Sequence, residues 1–289
     1  MLITEFDPWK NELCTCPVKY SLNPYTGCSH GCLYCYISSY IRDPFRSRPK
    51  KDLSKRIELE LKRLGHEITF ISLSNSSDPY PPQEREMRIT RDVLEVLGRH
   101  GIRFQIVTKS DIVARDTDII GKNSVSMTIT KMKNSRAIEP GAPDTEKRLK
   151  ALRELSQSGI RCSLRLDPVM PGMNDSEENI YGIIHEASDS IEHVTSSTLK
   201  PRADALVRLE RSFPRIEWKK EYSERVGGSR YLPERTRLDL MTRVRDICTE
   251  HGLTFSCCRE GFDMNAGNCD GSHLIGDKND RERTECCAA

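Results

Sequence analysis

Three cysteines stand at positions 28, 32 and 35, at intervals of four and then three, inside the stretch Tyr25-Thr26-Gly27-Cys28-Ser29-His30-Gly31-Cys32-Leu33-Tyr34-Cys35-Tyr36. That spacing lets a tight loop turn Cys28, Cys32 and Cys35 toward one small object. Gly27 and Gly31 permit the positive φ that such a wrap needs. Three thiolates are one short of the closed tetrahedral set of a structural zinc site. They are also one short of the four that usually hold an iron–sulfur cluster. One corner of the metal centre is therefore left to a ligand that is not protein. A partial zinc knuckle, or a chance grouping of buried cysteines, is the competing reading.

The rest of the chain must position that loop. With 289 residues it holds one large α/β domain or two small ones. The formal charge of +2 announces no nucleic-acid partner by itself, so only local patches can. Twelve cysteines are many, yet far from the density of a small disulfide scaffold. The first ten residues mix Glu5, Asp7, Pro8 and Lys10 and lack the apolar stretch of a signal peptide. No apolar run approaches the length of a membrane span. The expectation is a cytoplasmic protein, with no membrane partner and with thiols kept reduced for metal.

Six strand-like runs alternate with helical periodicity. Strands are predicted at 18–22, 68–74, 103–107, 124–130, 160–166 and 191–199. Helices are predicted at 54–64, after Thr90 as N-cap, around 116–120, from Asp144, and after a capping-box-like start at Asp175 and Glu178. Such alternation implies parallel pairing with right-handed crossovers. Six units are fewer than the eight of a closed barrel, so the predicted fold is α/β, a partial, open (β/α)6 TIM-like barrel. In α/β barrels the chemistry sits at the C-terminal ends of the strands. Here those ends carry the cysteine loop, residues 74–78, Lys109, Thr130, Asp167 and Lys200.

Other features flank this frame. Cys14 and Cys16 are either two reduced thiols at the chain entry or metal ligands completed from elsewhere. Arg42, Arg46, Arg48, Lys50, Lys51, Lys55 and Arg56 form a basic segment. It either steers an anionic substrate or is a solvated loop and helix start. Gly227-Gly228 reads as a mobile joint. An amphipathic helix through Leu238, Met241, Val244 and Ile247 follows, then a short strand at 253–258 and a Gly- and Asp-rich tail. The division expected is an N-terminal segment 1–17, the barrel 18–252 and a Cys-rich C-terminal extension 253–289. A second metal or cluster at Cys257, Cys258 and Cys269, completed by Cys14 or Cys16, competes with a purely structural role. Adjacent cysteines on a strand face opposite ways, which argues against Cys257 and Cys258 serving one metal together. Cys286 and Cys287 close the tail.

The cysteine loop resembles the signature of the radical S-adenosylmethionine enzymes. Further segments follow in order: Ser77-Asp78-Pro79-Tyr80 with Glu84, Thr108-Lys109-Ser110, Arg115-Asp116, Glu139-Pro140, and Asp167-Pro168 through Pro171 to Asp175. Together, over roughly residues 18–200, they resemble the DNA-repair-photolyase-like branch, the one related to spore photoproduct lyase. The resemblance implies that Cys28, Cys32 and Cys35 hold a 4Fe-4S cluster whose open iron binds S-adenosylmethionine. It implies reductive cleavage to a 5′-deoxyadenosyl radical that abstracts hydrogen from a substrate. It places Tyr34 near the adenine, and Ser77, Lys109 and Thr130 at the cofactor, with Asn75 and Thr128 nearby. A lysine can pair with a carboxylate as a point charge, and hydroxyls can bond carboxylate or ribose.

The resemblance also implies an electron donor such as ferredoxin or flavodoxin. The Cys14/Cys16 pair and the tail cysteines depart from the branch pattern. So does Asn75, where the true lyase carries the thiol that returns hydrogen to its product radical. Three functions therefore stand side by side. They are a radical enzyme on nucleic acid, a radical enzyme on a peptide or small molecule, and a non-catalytic metal-binding module that binds nucleic acid.

Overall fold

Strands buried on both faces read as unbroken apolar or small-residue runs, and this chain supplies several. The computed structural model describes residues 1–6, 12–64, 68–73 and 75–276. Cys286 and Cys287, and Ser74 of the second strand's end, lie outside the described residues. The main sheet comprises β1 (Thr4–Glu5), β2 (Tyr20–Leu22), β3 (Ile71–Leu73), β4 (Phe104–Thr108), β5 (Ser124–Thr128), β6 (Arg161–Val169), β7 (His193–Thr198) and β8 (Thr254–Cys257). They lie side by side in that order. β1 pairs antiparallel with β2. Every other neighbouring pair is parallel, as in Leu22 beside Leu73 and Thr128 beside Arg165. The sheet does not close, which is the predicted open barrel.

Helices cover the outer face: α1 (Leu53–Leu64), α2 (Ile89–Arg99), α3 (Thr145–Gln157), α4 (Glu177–Ala187), α5 (Ala203–Ser212) and α6 (Glu234–Glu250). Each buries an apolar stripe, Leu149, Leu152 and Leu155 on α3 and Ile180, Ile183 and Ile184 on α4. Asp144 caps α3 by accepting from the Lys147 N–H at 3.1 Å. Two caps differ from expectation. Ser176, not Asp175, caps α4, accepting from the Asn179 N–H at 3.3 Å. Thr90 lies inside α2, its hydroxyl on the Pro79 carbonyl and its N–H on Glu84, because a left-handed Arg88 already starts that helix.

Two C-terminal features were not legible in the chain. β8 joins the main sheet beside β7 as a seventh parallel strand, with Thr254 opposite His193. The segment after it plugs the barrel from the N-terminal ends of the strands. Gln105 donates to the Asp270 carbonyl at 2.9 Å. Gly271 packs so close to Ser163 that a Cβ there would sit 3.0 Å from its hydroxyl. Gly227-Gly228 is not a joint but the tight turn of a hairpin pairing Glu224–Val226 with Ser229–Tyr231. A two-glycine turn suits a hairpin because glycine supplies the required positive φ.

Candidate active site

The cysteine loop leaves β2 and is clamped by backbone on two sides. Gly27 has φ +76°, and a Cβ there would meet the Arg46 carbonyl at 2.4 Å. The Cys28 N–H donates to the Pro44 carbonyl at 2.7 Å. On the other side, residues 138–141 run along the loop. The Leu33 N–H donates to Ile138 at 2.9 Å and the Gly141 N–H to His30 at 2.8 Å. The basic segment belongs to this support. None of its side chains lines the site, and Arg48 instead binds the carbonyls of Arg42, Asp43 and Arg46.

The loop forms one wall of a cavity of about 660 Å³ at the C-terminal ends of the strands. Cys28, Cys32 and Cys35 line it as free thiols. Lys109, at the end of β4, also lines it, with its ammonium 5.7 Å from the Tyr34 ring centre. Tyr34, Asn75, Ser77 and Thr128 complete that side. Ser77 donates to the Tyr25 carbonyl at 2.6 Å, and Asn75 to the Ser21 hydroxyl at 2.9 Å. Both hold their backbone in place while facing the cavity.

Thr130 is fully buried and is not among the residues that line the cavity. Its hydroxyl donates to Glu139 at 3.0 Å. Glu139 is a fully buried hub that also takes the Tyr34 hydroxyl and pairs with Arg148 at 2.6 Å. Other segments of the resemblance are scaffold too. Glu84 pairs with Arg115 at 3.0 Å, and Asp116 with Arg91 at 3.1 Å.

The electrostatics favour a cation among the thiols. Burial pushes Cys32 well up and Cys35 to about 11, against the pull of Lys109 on both and of Arg208 on Cys35. Three buried thiolates together need positive charge to persist. His30 answers Cys28. Burial alone would lower the imidazole, but Asp78, 3.4 Å away, and the Cys28 thiolate raise it to about 10. Asp78 itself is held at about 2 despite burial, by His30 and by hydrogen bonds from the Lys109 N–H and the Thr108 hydroxyl.

Residues 22–184, more than half of the chain, match the sequence profile of the Radical SAM superfamily. The chain belongs to the radical SAM superfamily. It is an enzyme of that superfamily. One relative is an uncharacterized protein of Methanocaldococcus jannaschii, 32% identical over 165 residues that span 55% of this chain and 63% of that protein. Another is the radical SAM Nα-GlyT isomerase of Pseudomonas phage M6, 23% identical over 254 residues, 82% of this chain and 53% of that protein. A spore photoproduct lyase variant with bound AdoMet and dinucleoside spore photoproduct shares the fold, with a TM-score of 0.68 at 18% identity, covering 86% of this chain and 79% of the lyase.

Radical SAM enzymes use an iron–sulfur cluster and S-adenosylmethionine, and the donor set fits both. Three free thiols on one wall, with cations opposite them, suit a cluster lacking a fourth protein ligand. Lys109 and the hydroxyls of Ser77 and Thr128 suit a zwitterionic nucleoside beside it. Sequence reasoning missed Arg208. From α5 it donates to the Leu33 carbonyl at 3.1 Å and to the Cys35 carbonyl at 2.7 Å, pinning the far end of the cysteine loop. The available signal was a run of basic residues, Arg202, Arg208, Arg211 and Arg215, which gives no hint of the target. Arg165 and Asp167 from β6, paired at 2.8 Å, and Lys200, paired with Glu260 at 2.7 Å, line the opposite side. Among the described residues no helix is long and apolar enough to cross a membrane.

Proposed function

We propose that Cys28, Cys32 and Cys35 hold a 4Fe-4S cluster whose open iron takes S-adenosylmethionine, and that the enzyme abstracts hydrogen from a substrate in the 660 Å³ cavity. The observation that carries this reading is the convergence of the three thiols, Lys109, Ser77, Asn75 and Thr128 on one cavity wall. The bound cofactors supply reductive cleavage to a 5′-deoxyadenosyl radical. The chain's own residues do the rest. Lys109 pairs with the cofactor carboxylate as a point charge. Ser77 and Thr128 bond its polar groups, and Tyr34 offers an aromatic face beside the ammonium of Lys109.

A nucleic-acid component is the substrate class favoured. The support is the shared fold with a lyase that binds a dinucleoside photoproduct, and the guanidinium of Arg259 among the residues that line the cavity. Reduction requires a partner of the ferredoxin or flavodoxin type, consistent with work in the cytoplasm. The test is anaerobic incubation of the reduced protein with S-adenosylmethionine. Formation of 5′-deoxyadenosine is expected; protein with full iron and sulfide that yields none would end the reading.

A further inference from the structure

The sheet is open, and thiols from the segment entering β2 and from the plug after β8 come together. Cys14 and Cys16 come from the segment entering β2 beside the β1 edge. Cys258 follows β8, the strand at the opposite edge. Cys269 comes from the plug. The Cys16 and Cys269 sulfurs are 3.6 Å apart, and Cys14 shares a hydrogen bond with Cys16. Cys258 lies within electrostatic range of Cys14, Cys16 and Cys269. Cys14, Cys16 and Cys258 also line the cavity.

Two regions far apart in sequence, residues 14–16 and residues 258–269, thus bring thiols to one place. Hydrophobic packing does not explain that, since Cys14, Cys16 and Cys258 are not fully buried. Positive groups attend them. Lys19 is 3.8 Å from the Cys16 sulfur, and Arg165 and Arg259 act on Cys258. Cys257 is not of the group. It turns the other way, buried, with its thiol 3.7 Å from the Phe262 carbonyl.

We propose that Cys14, Cys16, Cys258 and Cys269 form a four-thiolate metal centre, distinct from the cysteine loop, that clasps the two edges of the open barrel. The 3.6 Å separation of Cys16 and Cys269 matches the edge of a tetrahedron with sulfurs about 2.3 Å from a central zinc, roughly 3.8 Å. A small iron–sulfur cluster presents the same ligand chemistry. Among the described residues no three His, Cys, Asp or Glu side chains are gathered tightly enough to hold one ion, and this holds equally for Cys28, Cys32 and Cys35. In both places a bound metal would displace the thiol protons and draw the sulfurs closer.

The test uses the full chain with the loop removed from the count, as the C28A/C32A/C35A variant. It is loaded anaerobically with Zn²⁺ alone, or with Fe²⁺ and sulfide, then desalted and analysed for zinc, iron and sulfide. About one centre per chain is expected to remain. Retention of zinc alone identifies a single-ion site, and iron with sulfide identifies a cluster. Adding C16S and C258S should lower the retained metal at least tenfold, while adding C257A, or C286A with C287A, should leave it. Background metal in a loop variant that still melts cooperatively would overturn the proposal. So would a Cys16–Cys269 disulfide found by mass spectrometry in anaerobic protein, or equal metal loss in the C257A variant. Because the loop is absent from this variant, failure here leaves the radical reading untouched.

Discussion

Asp78 accepts the backbone N–H of Lys109 at 2.7 Å, so the carboxylate holds the lysine's backbone and not its ammonium. The same carboxylate lies 3.4 Å from His30, whose charge faces Cys28. One buried residue therefore orients both the cluster loop and the cation beside it, and leaves the Lys109 side chain over Tyr34.

Lys109→Ala is expected to weaken S-adenosylmethionine binding roughly 10–100-fold, the worth of a hydrogen bond to a charged group, while iron content stays at the wild-type level. Asp78→Ala should lower both affinity and iron. Equilibrium titration with parallel iron analysis separates the two outcomes. Unchanged affinity in Lys109→Ala would remove the lysine from the site.

Loss of any one of Cys28, Cys32 and Cys35 to Ala should reduce 5′-deoxyadenosine formation to background. A Cys32→Ala protein that still cleaves the cofactor at the wild-type rate would dismiss these residues as joint ligands.

The Glu139–Arg148 pair is fully buried. Arg148→Met leaves Glu139 charged and unpaired, which costs about 3–5 kcal/mol. The melting temperature should fall by roughly 5–8 °C. Because Glu139 also holds Tyr34 and Thr130, cluster loading should fall with it. The double variant Glu139→Gln/Arg148→Met should recover part of the loss. Thermal melts with no drop for the single variant would contradict this account.

Gly141 packs directly against the loop. A Cβ there would lie 2.1 Å from the Ser29 carbonyl, an immovable backbone atom. Gly141→Ala should destabilise by about 1–3 kcal/mol and displace the loop, lowering reconstituted iron. Gly98→Ala, in α2 with open space around it, is the control and should stabilise by about 0.5–1 kcal/mol. Equal behaviour of the two variants in melts and iron loading would refute the clamp.

The protein is not expected to repair spore photoproduct, despite the shared fold. Asn75 faces the cavity where the lyase pattern calls for a thiol, and an amide N–H is too strong a bond to give up hydrogen. Cys162 is no substitute. It is buried in β6, its thiol 3.5 Å from the Ile160 carbonyl, and it does not line the cavity. Reduced enzyme given spore-photoproduct dinucleotide should yield no sustained thymine. Repeated turnover to thymine would sink this expectation and direct attention to Cys14, Cys16 and Cys258.

Local grammar made the loop and the barrel units readable. Cysteine spacing with Gly27 and Gly31 describes a wrap that needs no distant partner, and strand–helix alternation carries its own crossover rule. Placing Lys109 at a strand's end, hence at the rim, needed nothing more. What lay beyond reach was convergence. Thr128 and Thr130 share one periodicity, yet Thr128 lines the cavity while the Thr130 hydroxyl bonds Glu139. Arg208 on Cys35, the docking of β8 as a seventh parallel strand, and the meeting of Cys14, Cys16, Cys258 and Cys269 join residues up to 255 positions apart. Spacing within a segment dictates which side chains share a face. Which faces meet is set by sheet twist, open edges and the packing of the plug, and these exist only once the chain has folded.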